Sequence, residues 1–272
     1  MKKVLFYYHH FGGYGHGMRI YSICKALQSI SKYKIWVINS GVEQPELGID
    51  RYAKVFNLPP VTAAGPLFKG LNSEADIHKT LAQRQILLKK IAEKFDPDVA
   101  VIEHFPFGRM SLESEILGFI GELKKKRCKV YSSVRDLILT KGKKEQFDQF
   151  KGIFIHEDPD FNFSSDAPEN SLFTGRVHPY EKAISEQEIN LRESLGLGSK
   201  KLIVASIGGG LDGHELLAKL VNVKIKIDTK YPCSLRIFTG KSFPNDQWKA
   251  LGKDLPGDCH LVKFDSNLME YV

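Results

Sequence analysis

The sequence predicts an α/β protein with mainly parallel sheets and helices on both faces, organised as two units. Three observations carry that reading. Short apolar runs alternate repeatedly with segments of helical period. One run, Val99-Ala100-Val101-Ile102, is apolar throughout, as a strand buried on both faces of a parallel sheet requires. The pattern strand, glycine turn, helix also occurs twice, at the start of the chain and again beyond residue 201, with a polar stretch between.

The first strand is Val4-Leu5-Phe6-Tyr7-Tyr8. It runs through His9-His10-Phe11 into Gly12-Gly13-Tyr14-Gly15-His16-Gly17. Met18-Arg19-Ile20 opens a helix over 17–31, with Ile20, Ile23, Cys24, Leu27 and Ile30 at helical spacing. Strands follow at 34–38 and 52–56, before a Pro59-Pro60 break. A helix over 73–95 carries Leu81, Ile86, Leu88 and Ile91 inward, and Asp96-Pro97-Asp98 turns into the 99–102 strand. The loop Glu103-His104-Phe105-Pro106-Phe107-Gly108-Arg109 leads to a helix over 111–126. Further strands are read at 129–134, ending at Arg135-Asp136, and at 152–156 and 171–175.

Residues 176–200 are polar and helix-prone, with Pro179 and a Gly196-Leu197-Gly198 breaker. The expected domains are 1–178 and 201–272, joined by a linker over 179–200. The second unit opens with a strand at 202–207, Gly208-Gly209-Gly210 and a helix over 213–227, and adds strands at 235–239 and 260–264. A doubly wound domain usually needs about 100 residues. Roughly 70 follow the linker. The second domain is therefore expected to be incomplete, by truncation or because something else covers its open edge.

Composition bounds the function classes. Of 272 residues, 42% are hydrophobic and 26% charged, as in ordinary globular proteins. The net charge of +7 favours anionic partners such as sugar nucleotides, phospholipid headgroups or nucleic acid, or marks a merely basic surface. Cys24, Cys128, Cys233 and Cys259 form no CxxC pair, so a zinc knuckle or redox motif is unsupported and a reducing cytoplasm fits. The N-terminal apolar run is too short for a signal peptide, and no run approaches the ~18 apolar residues of a membrane span. Asn162-Phe163-Ser164 matches a glycosylation sequon by chance in this setting.

The first loop brings backbone N–H groups and a helix N-terminus up to an anionic or polar ligand. It is neither a dinucleotide fingerprint, since Met18 stands where the third glycine belongs, nor a P-loop. His16 reads as a general base or oxyanion partner, or as a turn histidine capping the helix. His9 and His10 are adjacent and would point to opposite faces, which disfavours a shared metal and leaves one packed. Glu103, His104 and Arg109 flank a second strand end and could converge with His16, Arg109 pairing with a phosphate or carboxylate. Local salt bridging is the alternative. Arg135 ends the next strand with the same two readings. Lys124-Lys125-Lys126-Arg127 reads as a solvated helix end, with a membrane-surface contact as the alternative. Gly208, Gly209 and Gly210 allow close approach to a diphosphate, and Thr239-Gly240 could line the same cleft.

Two α/β units with glycine loops facing a cleft resemble the GT-B glycosyltransferase architecture of two Rossmann-like domains. Phe11-Gly12-Gly13-Tyr14-Gly15-His16-Gly17-Met18-Arg19, the 103–109 loop and Ser133-Val134-Arg135-Asp136 together look like a family of predicted bacterial glycosyltransferases related to the MurG-type N-acetylglucosaminyltransferases. The resemblance covers the whole chain, including Phe238-Thr239-Gly240. It implies an N-terminal acceptor domain, in which Gly13, Gly15, Arg19, Glu103, His104, Arg109 and Arg135 bind substrate. It also implies a C-terminal domain that binds a nucleotide sugar, often UDP-linked, through Gly208, Gly209, Gly210 and Gly240. His16 would be the catalytic base or a transition-state contact, and neither metal nor other cofactor is expected. Relatives of this type continue past residue 272 with a helix, a glycine-rich donor loop and an acidic residue for the ribose, so a truncated or split chain is expected. The expected partners are the nucleotide sugar, an unidentified acceptor and a chain completing the second domain, with peripheral membrane contact and no nucleic acid. The alternatives are a subunit of a split transferase, a sugar-nucleotide epimerase of the same architecture, and a non-catalytic acceptor-binding protein.

Overall fold

The computed structural model describes the chain except residues 12, 65–66, 71–76, 136–143, 159, 161–166, 179–184, 211, 266–267 and 272; within helices and strands, residues 62–64, 67–70, 144, 185–189 and 269–270 are described by backbone only. It forms two compact units, Met1–Pro179 and Tyr180–Val272.

In the first unit the order is β1 (Lys3–Tyr8), α1 (Gly15–Ile30), β2 (Lys34–Asn39), β3 (Lys54–Asn57), β4 (Val61–Ala64), β5 (Leu67–Gly70), α2 (Ile77–Phe95), β6 (Val99–Glu103), α3 (Glu113–Lys125), β7 (Lys129–Arg135), α4 (Lys144–Phe147), β8 (Gly152–His156) and β9 (Ser171–Phe173). Seven strands form one parallel sheet in the order β3-β2-β1-β6-β7-β8-β9. The chain winds outward from β1 to β3, then resumes at β6 on the other side of β1. The strand order thus reverses between β1 and β6, and the crevice at their C-terminal ends is where open α/β sheets place ligands.

The period of two along each strand builds a core on each face. Leu5, Tyr7, Trp36, Ile38, Ala100 and Ile102 pack with Leu88, Ile91 and Phe95 of α2 and Ile116, Phe119 and Ile120 of α3. Val4, Phe6, Tyr8, Ile35, Val37 and Val101 pack with Ile20 and Cys24 of α1.

The second unit contains α5 (Ser185–Ser194), β10 (Lys201–Ser206), α6 (His214–Asp228), β11 (Cys233–Phe238), α7 (Asn245–Gly252) and β12 (Cys259–Val262). Its three strands are parallel in the order β10-β11-β12. Leu217, Val221, Leu235, Ile237, Phe243 and Leu251 centre its core.

Several local expectations are corrected. The stretch after Pro59-Pro60 is the antiparallel β4–β5 pair, not a plain break. The strand expected at 52–56 begins at Lys54, because Ile49–Arg51 forms a 3-10 turn that Tyr52 caps. Another 3-10 turn, Met110–Leu112, precedes α3. The linker stretch, read as helix-prone, does carry α5, whereas α7 is an unexpected element. The start of the 73–95 helix, Asp136 and the sequon at 162–164 lie outside the described residues.

Candidate functional site

His16 and Arg19 stand one turn apart on α1, which begins at Gly15, within the first glycine loop, so that His16 lies in the helix's first turn and not in the loop expected for it. Glu103 is the last residue of β6, with a side chain 0% exposed. The three meet at the reversal point: His16 Nδ1 lies 2.7 and 2.8 Å from the Glu103 oxygens, and Arg19 Nη1 donates to Oε1 at 2.6 Å. Arg109 Nη2 lies 2.7 Å from His16 Nε2. A guanidinium only donates, so Nε2 accepts, and the imidazole proton sits on Nδ1 and is given to Glu103. Burial alone would raise the Glu103 carboxyl, but the hydrogen bond from His16 and the charge of Arg19 outweigh it and hold it below the usual range. Glu103 is therefore an ionised carboxylate orienting a neutral imidazole.

The 103–109 loop holds its residues in unusual conformations. His104 and Arg109 have φ of 66° and 65°, the left-handed region that non-glycine residues seldom occupy. Gly108 allows the His104 ring to fold over the loop, since a Cβ there would stand 2.6 Å from His104 Cδ2. The His104 ring lies 5.6 Å from that of His16. Burial pushes its pKa down to about 4 with help from Arg109, against the pull of Glu103, and its Nδ1 is buried without a hydrogen-bond partner. Arg109 is fixed by Nε donation to the His9 carbonyl at 3.0 Å and by its position 5.0 Å from the Phe11 ring centroid.

Arg135, at the end of β7, pairs in register with His156 of β8, and its Nε is buried without a partner. Arg19, Arg109 and Arg135 lie at the strand ends around the buried carboxylate of Glu103, an arrangement that favours an anionic ligand.

Gly13 and Gly15 are exposed, and a Cβ at either would meet nothing within 4 Å. His9 and His10 are both buried, where one was expected to be. His9 Nδ1 lies 2.8 Å from the Ser40 carbonyl, and His10 Nε2 lies 2.9 Å from that of Val42. The chain leaves β1 at Tyr8, so the two rings escape strand alternation and both turn to the loop after β2. At the end of α3, Lys124, Lys125 and Lys126 reach Gln149, Glu122 and Asp96, as a solvated helix end does.

In the second unit, Gly208, Gly210, Gly213 and Gly240 all have positive φ. A Cβ on Gly210 would stand 2.4 Å from the Thr239 carbonyl, and one on Gly240 2.3 Å from that of Gly208. These two glycines therefore let two strand-end loops pack backbone to backbone, while Gly208 faces open space. A cavity of about 600 Å³ opens beside them at the start of α6, lined by Gly210, Gly213, His214, Lys219, Phe243 and Gln247.

Two polar networks were missed by the sequence reading. Arg84 and Glu115 form a buried bidentate pair, 2.7 and 2.8 Å, which also engages Tyr7 and Ser40. The available signal was that Arg84 sits on the apolar stripe of α2, between Leu81 and Leu88. Ser133, His156 and Thr174 form a chain with 2.7 Å steps beside Glu103. No local pattern marked it. Among the described residues, no three His, Cys, Asp or Glu are grouped to hold a metal ion, and no helix is long and apolar enough to cross a membrane.

No protein-family model matches the chain, and no curated protein matches it. Solved structures do. The MurG of Acinetobacter baumannii matches all of this chain over 71% of its own length, with a TM-score of 0.55 and 13% identity. A glycosyltransferase from Rickettsia africae matches 99% of this chain over 70% of its own, with a TM-score of 0.58 and 11% identity. The UDP-GlcNAc 2-epimerase of Neisseria meningitidis, solved bound to UDP-GlcNAc, matches 99% of this chain over 74% of its own, with a TM-score of 0.60 and 14% identity. The chain is thus similar to them in fold: it is GT-B-like, with two Rossmann-like parallel-sheet units of which the second is smaller.

Proposed function

We propose that the chain is a glycosyltransferase moving a sugar from a nucleotide sugar, UDP-linked, to an acceptor hydroxyl. The His16–Glu103 pair at the reversal of strand order carries this reading. The acceptor proton passes to His16 Nε2 as the hydroxyl oxygen attacks the anomeric carbon. The bond from that carbon to the diphosphate oxygen breaks, and the nucleoside diphosphate leaves. Glu103 keeps the imidazole in the Nδ1–H form and stabilises the imidazolium that results. Arg109 donates to Nε2, so proton uptake requires its guanidinium to turn aside. Gly13, Gly15, Arg19, His104, Arg109 and Arg135 belong to the acceptor side. Gly208, Gly209, Gly210, Gly240 and the N-terminus of α6 offer backbone N–H groups to the departing diphosphate. The reading requires no bound metal, and it puts the enzyme in the cytoplasm, in peripheral contact with a membrane.

Incubation with UDP-sugars and a panel of hydroxyl acceptors, following released UDP, tests it. Acceptor-dependent release is expected. His16→Ala should lower kcat by about 10²- to 10⁴-fold, and Glu103→Gln should lower kcat with little change in KM for the donor. Absence of release with every common nucleotide sugar would overturn the reading.

A second reading is supported by the likeness to the epimerase fold. There the UDP-sugar is converted without any acceptor. A new anomeric NMR signal from UDP-GlcNAc alone, with no UDP released, would decide for it.

A further inference from the structure

A cavity of about 180 Å³ in the first unit opens beneath the C-terminal ends of β1, β2 and β3. That is on the order of six waters by liquid volume, the space of one small ring. It lies apart from the His16–Glu103 pair, and neither of those residues lines it. Its wall reaches the glycine loop, because Gln44 Nε2 donates to the Gly13 carbonyl at 3.2 Å.

The lining is chemically one-sided. Asn39, Gln44 and Asn57 contribute amides, Glu43 and Asp50 contribute carboxylates, and no Lys, Arg or His takes part. Asn39 Nδ2 is spent on the Val42 carbonyl and on Asn57 Oδ1, at 2.9 and 3.1 Å. Tyr8 also lines the cavity. Its side chain is almost wholly buried, yet its hydroxyl has no hydrogen-bond partner among the described residues. On the same wall Gln44 Oε1 is buried without a hydrogen-bond partner, which is costly unless something else satisfies it. Acceptors and negative charge predominate on the walls, so the complementary ligand is rich in donors and positively charged. Pro45, Ile49 and Val55 supply apolar surface for the faces of a ring.

We propose that this cavity is a binding site for a small ring bearing a protonated amine, an aminosugar by class. The ammonium lies between Glu43 and Asp50, and ring hydroxyls pair with Tyr8, Gln44 and Asn57. The proposal does not depend on the transferase reading.

Titration of the full chain with D-glucosamine, D-glucose and D-glucuronate, following the side-chain amide NMR signals of Asn39, Gln44 and Asn57, tests it. Glucosamine should move these signals at the lowest concentration, glucose only at higher ones, and glucuronate not at all. Glu43→Gln/Asp50→Asn removes both charges and no hydrogen bond assigned above, and should weaken glucosamine binding about tenfold or more. Circular dichroism and urea unfolding verify that the variant folds. Tyr8→Phe should weaken all sugars by a smaller factor. The proposal is overturned if glucosamine leaves the three amides unmoved, if glucose binds as tightly, or if the folded double variant binds glucosamine like the parent. Loss of the UDP-release reaction in a parent that still binds glucosamine would overturn the transferase reading alone.

Discussion

His9, His104 and His156 of the first unit are held neutral by burial, and that has a measurable consequence. Burial pushes His9 down to about 3, reinforced by the charge of Arg109. It pushes His104 and His156 down to about 4. In the unfolded chain each titrates near 6.5. Above that pH both states are neutral and these groups contribute nothing. As pH falls below 6.5 the unfolded chain takes up protons that the folded chain refuses, so stability declines until pH reaches about 4. At pH 5 each histidine should cost roughly 2 kcal/mol relative to pH 7.5. His156 offers a clean test, since it sits between the Ser133 and Thr174 hydroxyls rather than on His16. Urea unfolding of His156→Gln at both pH values should show an acid loss about 2 kcal/mol smaller than the parent's. Parallel losses in the two proteins would refute the assignment.

At the scale of elements, the Arg84–Glu115 pair fixes α2 and α3 against the sheet. Both side chains are buried, Arg84 at 0% exposure, and the guanidinium also donates to the carbonyls of Ser40 and Pro59. Tyr7 of β1 donates to Glu115 at 2.8 Å. Removing one partner leaves an uncompensated buried charge, so Glu115→Ala should cost about 3–5 kcal/mol in urea unfolding. Arg84→Met/Glu115→Leu, which removes both charges, should recover most of that loss. A double variant as unstable as the single one would show that the loss comes from the missing contacts of the pair and not from an uncompensated charge.

The elements also show what could be read beforehand. The central strands were legible because parallel strands covered on both faces are continuous apolar runs, as in Ile35-Trp36-Val37-Ile38. The meeting of His16, Glu103 and Arg109 was legible because the loops after β1 and β6 adjoin wherever strand order reverses. The bonding pattern was not. That Arg19 would share Glu103, or that Arg109 would face Nε2, depends on rotamers set by contacts more than 80 residues apart in sequence. The β4–β5 pair was hidden because a double proline reads as an interruption. Helix α7 was hidden because eight residues are too few to establish a period.

At the scale of the whole molecule the two units differ in how much core each builds. The first has apolar clusters on both faces of seven strands, whereas the second has one cluster and three strands, with β10 only half-buried along Leu202, Ile203, Val204 and Ala205. Smaller cores leave smaller margins over chain entropy. The second unit should therefore unfold at lower urea. The two tryptophans report the units separately: Trp36 lies 4.3 Å from Phe95 in the larger core, and Trp248 of α7 packs on the smaller one. Trp248 fluorescence, read in Trp36→Phe, should change at lower urea than Trp36 fluorescence read in Trp248→Phe. Trp248 Nε1 is buried without a partner, so Trp248→Phe leaves no broken hydrogen bond in its own unit. Two coincident transitions, each as steep as expected for all 272 residues unfolding together, would show one cooperative block and contradict the division.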